Sequence, residues 1–366
     1  MTVTTINQLA FKKQHSAHGA EWTEVNDWRL PAHYGDIQSE LDALENSCGV
    51  IDKSHYGRIN VSGGTAQDFL HRMTSAPIND LENHQGMETV VTTAEGRFVD
   101  WVTVYKPHDD HLTMVTSPGA PEHIIEHFSG YIFFKEDVNF DETSDSWILL
   151  QLSGPQAPSL VNDVFSIDVR DSSLYAMHQA EVAGETIYIA SVNDISGNDV
   201  HVFCPGDVSG DLWDLLEESN TDWQPVGYDA YDIARIRAGI PKYPNEITDE
   251  YTLVEAHLET PLDMSTCFTG QEVIARTLNY DKVKQQLCHL EFIGEISMDM
   301  SLPLDISNGD RPVGTLTSYA KLPQRAGAVG LGYVKSRYLE DFPMDVQIRM
   351  DETHVAGKVT AQTDAR

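Results

Sequence analysis

The sequence predicts an α+β protein built from two or three packed units, and three observations carry that prediction. The chain has 366 residues, too many for one small core. Between Trp147 and Arg237 the hydrophobic patterns read strand, helix, strand, strand, helix, an order that fits a ferredoxin-like unit. From Val283 onward only strand-like runs remain, separated by Gly and Pro.

The elements follow in order. Trp28, Pro31 and Tyr34 precede an amphipathic stretch in which Ile37, Leu41 and Leu44 share one helical face, and Gly49 stops it. Residues 50–52 begin a strand, Asp52-Lys-Ser-His55 leads out of it, and residues 58–62 alternate as a second strand up to the turn at Gly63-Gly64. His55 reads as a satisfied polar contact at a strand end rather than a general base. A helix with Phe69, Leu70 and Met73 on one side comes next. Residues 88–93 and 98–105 form a strand pair joined through Ala94-Glu95-Gly96, then 112–117 is a strand and 122–128 an apolar-faced helix. The strand at 147–152 runs into Ser153-Gly154-Pro155, with Pro155 suited to a first helical turn. Strands at 186–191 and 200–203 precede helices at 212–216 and 229–237, and 241–255 is an irregular acidic loop. Beyond Lys282 lie strands at 283–292, 311–318, 328–334 and 346–350. Residues 327–334 carry glycines at phosphate-loop-like spacing. They lack the Lys-Ser/Thr ending and a following helix, so they read as a strand with close backbone packing.

Composition narrows the function. Hydrophobic residues at 41% and aromatics at 9% support a globular fold. Fifty-seven acids face 24 bases, a net charge of -33, spread along the chain instead of gathered in a tail. A field of that sign repels phosphate backbones, which argues against nucleic acid and anionic membranes as partners. So strong and even an acidity, with only 11 lysines, reads as adaptation to a salty cytoplasm: a halophilic, archaeal type of source. The four cysteines, Cys48, Cys204, Cys267 and Cys288, lie far apart with no Cys-x-x-Cys. That fits a reducing compartment and argues against a structural zinc or a protein-only iron–sulfur site. The polar first 13 residues and the absence of any stretch near 18 apolar residues give a cytoplasmic, soluble chain as the expectation.

One stretch concentrates the chemistry. Cys267 sits in a polar segment just ahead of Gly270, Gln271 and Glu272, which open a short helical run. A thiol at a helix mouth is favoured as thiolate by the dipole, while a free cysteine elsewhere is more often a small buried hydrophobe; residues alone leave both readings open.

Cys267-Phe-Thr-Gly-Gln-Glu272 followed by Arg276 resembles the signature of the YgfZ-type folate-binding family, a relative of the glycine-cleavage T-protein (aminomethyltransferase). Ser265 and Thr266 replace the family's Lys-Gly and Phe268 its Tyr, which removes a cation beside the thiol. The order Trp28, Pro31, Tyr34, Asp52-x-Ser-His55, glycine turn and Phe-Leu helix is similar to the opening of the T-protein, and the resemblance runs from about Gly19 onward. In T-proteins the hairpin carries Asp-Asp, the second Asp working near folate; here Asp100 holds the first position and Trp101 the second. Strand alternation points Asp100 to the face opposite Trp101. The pterin-gripping loop Gly-Tyr-Thr-Gly-Glu corresponds to residues 193–198, with Asn198 near the place of the Glu. The Arg-Leu-Glu-Ala-Gly helix end becomes Arg235-Ile-Arg237-Ala-Gly239, a pair of cations that either hold a folate glutamate tail or sit solvated at the helix end.

The resemblance implies a three-unit fold around a folate cavity. Residues 1–140 would be an N-terminal folate-binding α+β unit, 141–282 a ferredoxin-like α+β unit carrying the signature, and 283–366 a small, jelly-roll-like C-terminal β-barrel. It implies tetrahydrofolate as the ligand, met by Tyr105, Asn198, Arg235 and Arg237, with Cys267 as the functional thiol on a loop held by Gln271, Glu272 and Arg276. A YgfZ-type protein supports assembly or repair of clusters in iron–sulfur proteins, and this is the leading expectation. The alternatives are a folate-dependent aminomethyl- or methyltransferase served by a lipoyl carrier protein, with Asp100 standing in for the carboxylate, and a folate-free scaffold. Whether the chain is itself an enzyme stays open among the three.

The charge makes one prediction at once. Near 0.1 M salt the Debye length is about 10 Å, against about 3 Å at 1 M, so the 57 acids repel one another far more strongly in dilute buffer. Circular dichroism across a salt titration should show the fold lost towards 0.1 M and regained above 1 M. Equal stability at both ends would count against adaptation to salt.

Overall fold

The computed structural model describes residues 6–109, 111–279, 283–294, 301–324, 326–339, 342–350 and 353–364; the expected boundary at Lys282 lies outside them. The N-terminal elements are β1 (Asn7–Gln8), α1 (Lys12–Ala17), β2 (Glu21–Val25), β3 (Trp28–His33), α2 (Ile37–Asn46), β4 (Gly49–Asp52), β5 (Gly57–Ser62) and α3 (Ala66–Met73). Then come β6 (Gln85–Thr92), β7 (Phe98–His108), β8 (His111–Thr116), α4 (Pro121–Ser129), β9 (Asn139–Glu142), β10 (Trp147–Ser153) and α5 (Ala157–Phe165). The middle continues with β11 (Met177–Val182), β12 (Glu185–Val192), β13 (Asp199–Pro205), α6 (Ser209–Glu217), β14 (Gln224–Val226), α7 (Tyr228–Arg237) and α8 (Gln271–Asn279). Among the described residues there follow β15 (Gln285–Phe292), β16 (Leu304–Asn308), β17 (Arg311–Lys321), β18 (Ala328–Lys335), a single 3-10 turn (Ser336–Tyr338), β19 (Met344–Met350) and β20 (Thr353–Gln362). The class is α+β, as the patterns predict. No helix among the described residues is long and apolar enough to cross a membrane.

The chain divides into two compact units. The first comprises Met1–Leu70, Ile78–Glu88 and Val102–Tyr231, the second His71–Pro77, Thr89–Trp101 and Asp232–Arg366.

In the first unit a six-stranded sheet runs in the order β11-β12-β13-β10-β4-β14. Its run β12-β13-β10 has the ferredoxin-like arrangement, but the place of the last ferredoxin strand is taken by β4, brought in from far upstream. β4 pairs antiparallel with β10 (Leu150 opposite Asp52) and parallel with β14 (Val226 opposite Ile51). All four residues of β4 are buried, which is why it reads as an apolar run without alternation. Leu160 and Val161 of α5 and Leu212, Trp213 and Leu216 of α6 pack on this sheet with Ile148, Leu150, Val200 and Val202. Each fully buried apolar side chain contributes about 1.5–3 kcal/mol. Pro158, not Pro155, occupies the first turn of α5, because Pro155 falls two residues before the helix begins. The N-terminal sheet β1-β3-β2 was not legible in the sequence. His15 of α1 bonds Asp52 at 2.9 Å through Nε2 and the Tyr34 hydroxyl at 2.7 Å through Nδ1. Against the desolvation that pushes it up, the His15 and Ser54 contacts hold the Asp52 carboxyl below the usual range.

In the second unit the all-β tail is a closed six-stranded barrel, β15-β18-β17-β16-β19-β20. Its interior holds Leu290, Phe292, Ile306, Leu316, Val334, Ile348 and Val359. Residues 327–334 are a strand, as read. A Cβ on Gly332 would lie 2.5 Å from the Thr315 carbonyl oxygen, so only glycine admits β17 this close to β18.

Candidate functional site

In the second unit the signature is built around a glycine. Gly270 has φ +86°, and a Cβ there would stand 2.6 Å from the Thr93 carbonyl oxygen and 3.0 Å from Cα of Gly96. The turn between β6 and β7 thus lies directly against the entry to α8. Thr92 Oγ1 donates to the Thr269 carbonyl at 2.6 Å and the Thr269 N–H donates to the Arg72 carbonyl at 3.1 Å, fixing the same point. Gln271 turns back with its Nε2, donating to the Met264 carbonyl at 3.1 Å and to the Thr266 carbonyl. The segment carrying Cys267 is therefore clamped on both sides, and the thiol is exposed. Cys48, Cys204 and Cys288 are buried, and burial pushes each of their thiols up to about 12. Cys267 lies four residues before the first residue of α8. Glu272 and Arg276 are exposed and meet each other at 3.1 Å, one helical turn apart.

Arg235 is buried and almost saturated. Its Nε donates to Asp232 at 2.8 Å, Nη1 to Glu246 at 3.1 Å and the Ile240 carbonyl at 3.2 Å, and Nη2 to Ser318 Oγ at 2.7 Å. Lys242 reaches the same Asp232 oxygen at 2.8 Å. Burial works to raise Asp232, but Arg235 and Lys242 hold it down to about 2. Arg237, two residues on, is exposed. Asp100 is fully buried, and its Oδ1 accepts the backbone N–H of Trp101 at 2.9 Å. Trp101 is half-buried against Phe98, Tyr251 and their neighbours, and its indole Nε1 has no hydrogen-bond partner.

Tyr105 and Asn198 belong to the first unit. Tyr105 is fully buried; its hydroxyl shares a 3.3 Å hydrogen bond with Nδ1 of His201, and its ring packs edge-on against Phe203 at 5.2 Å. Asn198 is exposed, with its N–H donating to Ser196 Oγ at 3.2 Å. The loop before it is gathered by Asp199, which accepts the N–H groups of Asp194, Ser196 and Gly197, each at 3.0 Å.

That loop carries what sequence reasoning missed. Asp194 meets the Lys53 ammonium at 2.5 Å. The same ammonium lies 4.9 Å from the ring centroid of Tyr56 and 4.7 Å from that of Tyr231. Burial alone would favour the neutral amine, but the Asp194 charge overrides it and raises Lys53 above its usual range. The only sequence signal was a lysine inside an otherwise buried stretch beside Asp52 and His55. His55, read as a polar contact at a strand end, is buried and hydrogen-bonds the Asp52 backbone, while its Nδ1 has no partner. Among the described residues no group of three or more His, Cys, Asp or Glu is arranged to hold a metal ion.

With this geometry in place, comparison with known proteins gives a consistent result. A family model described as the GCVT N-terminal domain matches residues 11–266. The protein called "Putative transferase At1g60990, chloroplastic" from Arabidopsis thaliana is 30% identical over 320 residues, which cover 86% of this chain and 71% of that one. The "Aminomethyltransferase" of Rubrobacter xylanophilus is 26% identical over 90% of this chain and 87% of its own. The "Probable aminomethyltransferase" of Natronomonas pharaonis is 27% identical over 92% and 94%. The crystal structure of glycine cleavage system aminomethyltransferase T from Bartonella henselae superposes with a TM-score of 0.84 over 98% of both chains, at 18% identity, so the fold is the same.

The buried histidines make stability depend on pH. Burial pulls both His55 and His201 down to about 3. The unfolded chain takes up these protons near pH 6.5 and the native chain only near 3, so the stability is present above 6.5 and is lost as pH falls below it. Each histidine adds a slope approaching about 1.4 kcal/mol per pH unit. Between pH 6.5 and 5, in constant salt, His201→Gln should lose stability less steeply than the parent in urea melts by about that amount. An unchanged slope would mean that His201 is charged in the native protein.

Proposed function

Because the chain belongs to the GCVT N-terminal domain family, of the T-protein superfamily, we infer that it binds tetrahydrofolate and works as a one-carbon group-transfer protein of the aminomethyltransferase type. The observation that carries this reading is end-to-end similarity: proteins named aminomethyltransferase match it over 90% or more of its length. Bound tetrahydrofolate supplies the amine nitrogen that accepts a one-carbon unit. The residues suit it as a ligand more than as a reacting partner. Trp101 offers a ring to stack on and an unbonded N–H donor. Arg237, in the same unit, offers an exposed cation. Arg235 and Tyr105 are engaged internally and would position neighbouring backbone rather than touch the ligand. Asp100 is buried and bonded to the backbone, so no carboxylate stands in the Trp101 position to take part in transfer.

The test has two arms. At 100 times its dissociation constant a native-only ligand stabilises by about 2.7 kcal/mol. Melting in high salt should therefore shift upward with tetrahydrofolate, and no shift at millimolar ligand would leave a folate-free scaffold. Turnover from a loaded lipoyl carrier should be slow in the parent and rise at least tenfold in Trp101→Asp. No gain would place the transfer chemistry elsewhere.

A second reading, the YgfZ-type support of iron–sulfur cluster assembly or repair, is favoured by one observation: the signature cysteine alone of the four is exposed, on a clamped loop. Cys267→Ser should leave the melting temperature nearly unchanged and abolish rescue of a salt-loving host lacking its own YgfZ-type protein, with Cys288→Ser as the control for a buried thiol. Full rescue by Cys267→Ser at equal protein level would leave the transferase reading alone.

A further inference from the structure

In the first unit a cavity of about 400 Å³ lies where the turn between β2 and β3, the start of α4 and the chain leaving β9 meet beside β5. Alternation along β5 separates it from the aromatic cavity that Tyr105 borders: Gly57 lines this one, Arg58 and Asn60 the other. A Cβ on Gly57 would run into Pro121 and Thr116, so glycine lets α4 begin directly against the strand.

The chemistry of this cavity is one-sided. Asp27 from the β2–β3 turn, Glu122 from the first turn of α4, Glu142 at the end of β9 and Asp145 just beyond it all line the cavity, and all four are exposed. Among the described residues no lysine or arginine stands within ion-pair distance of these carboxylates. Trp28 adds a half-buried indole, the ring that best attracts a cation.

Acids are common on this surface, and His55 is what sets the place apart. It lines the cavity from the buried side, 7% exposed, with no partner for Nδ1. Burial pulls the ring down to about 3 and so keeps it neutral, and its hydrogen bond to the Asp52 backbone engages the single N–H. Nδ1 is then a lone pair without a donor, costly to bury unless an occupant supplies one. Carboxylates, π face and imidazole nitrogen thus call for the same occupant, a positive charge carrying N–H groups. A single metal ion does not fit, because among the described residues no three His, Cys, Asp or Glu converge to hold one. Acids that share a cavity without converging suit charges spaced along a chain.

We propose that this cavity binds a linear polyamine, with its ammonium groups against the carboxylates of Asp27, Glu122, Glu142 and Asp145, its methylenes along Trp28 and one N–H donated to His55 Nδ1. The proposal stands or falls without tetrahydrofolate binding.

Isothermal titration of the folded full chain in molar potassium chloride, with spermidine and with butylamine as the single-ammonium match, tests this. Spermidine should bind saturably, one per chain, at least tenfold tighter than butylamine, and excess magnesium should leave it bound. Glu122→Gln combined with Asp145→Asn should weaken spermidine at least tenfold. Glu185→Gln removes an exposed carboxylate of β12 outside the cavity and should change the affinity less than twofold. Should the double variant fail to melt cooperatively, Asp27→Asn replaces it and should weaken spermidine at least threefold; Asp27 has φ +62°, which asparagine adopts readily. The proposal is overturned by the absence of saturable binding, by equal affinity for spermidine and butylamine, by displacement with magnesium, or by an affinity that the cavity variant changes no more than Glu185→Gln does.

Discussion

The insertion of β4 between β10 and β14 is the constraint on which the first unit depends. Four residues from the N-terminal part of the chain complete a sheet whose neighbouring strands come about a hundred residues and more later. The chain leaving that strand then has no freedom. Asp52 receives His15, Lys53 enters the two tyrosine rings to meet Asp194, His55 is buried, and Arg58 arrives beneath the Trp147 carbonyl. Each of these groups is costly to bury on its own, and each is tolerated because the strand pairing fixes where its neighbours stand.

The two buried arginines resolve the same physical problem in opposite ways. Arg235 is met by two carboxylates, a hydroxyl and a carbonyl, and Lys242 shares one of the acids, so removing one partner would strand the others. The terminal nitrogens of Arg58 donate to carbonyl oxygens alone, and the charges of Asp52, Glu142 and Asp145 act on it without a hydrogen bond. In a chain with 57 acids and 24 bases, a shortage of carboxylates does not explain the difference. The distinction lies in the surroundings: the first arginine is enclosed by its own loop, the second borders a cavity.

Local pattern made most of the elements legible, and distance hid the rest. The amphipathic helix at Ile37, the hairpin through Gly96 and the apolar β10 follow from periodicity and turn chemistry alone. β11 was missed because its residues alternate between half-buried and exposed polar groups at a sheet edge, and β16 and β20 because each is short or rich in small residues. Gln271 could be tied to the Cys267 segment because five residues separate it from Thr266. Nothing local announces that Lys53 meets Asp194, 141 positions away, or that Arg235 meets Ser318, 83 positions away. Buried charge pairs are set by tertiary packing, and one sequence carries no record of which partner packing selects.

The barrel of the second unit closes on itself, with β15 bonded to both β18 and β20. The six-stranded sheet ends on one side at β14, three residues long with Pro225 at its centre, and the five-stranded sheet β6-β7-β8-β5-β9 ends on one side at β9, four residues that include Asp141 and Glu142. A closed ring has no unpaired edge, and a proline or carboxylates at a short edge refuse a further strand. Where salt is concentrated enough to screen net charge, mutual repulsion no longer keeps molecules apart. Colloidal stability there has to come from backbone geometry, and at these three borders the geometry leaves no free row of amides for a neighbouring molecule to extend.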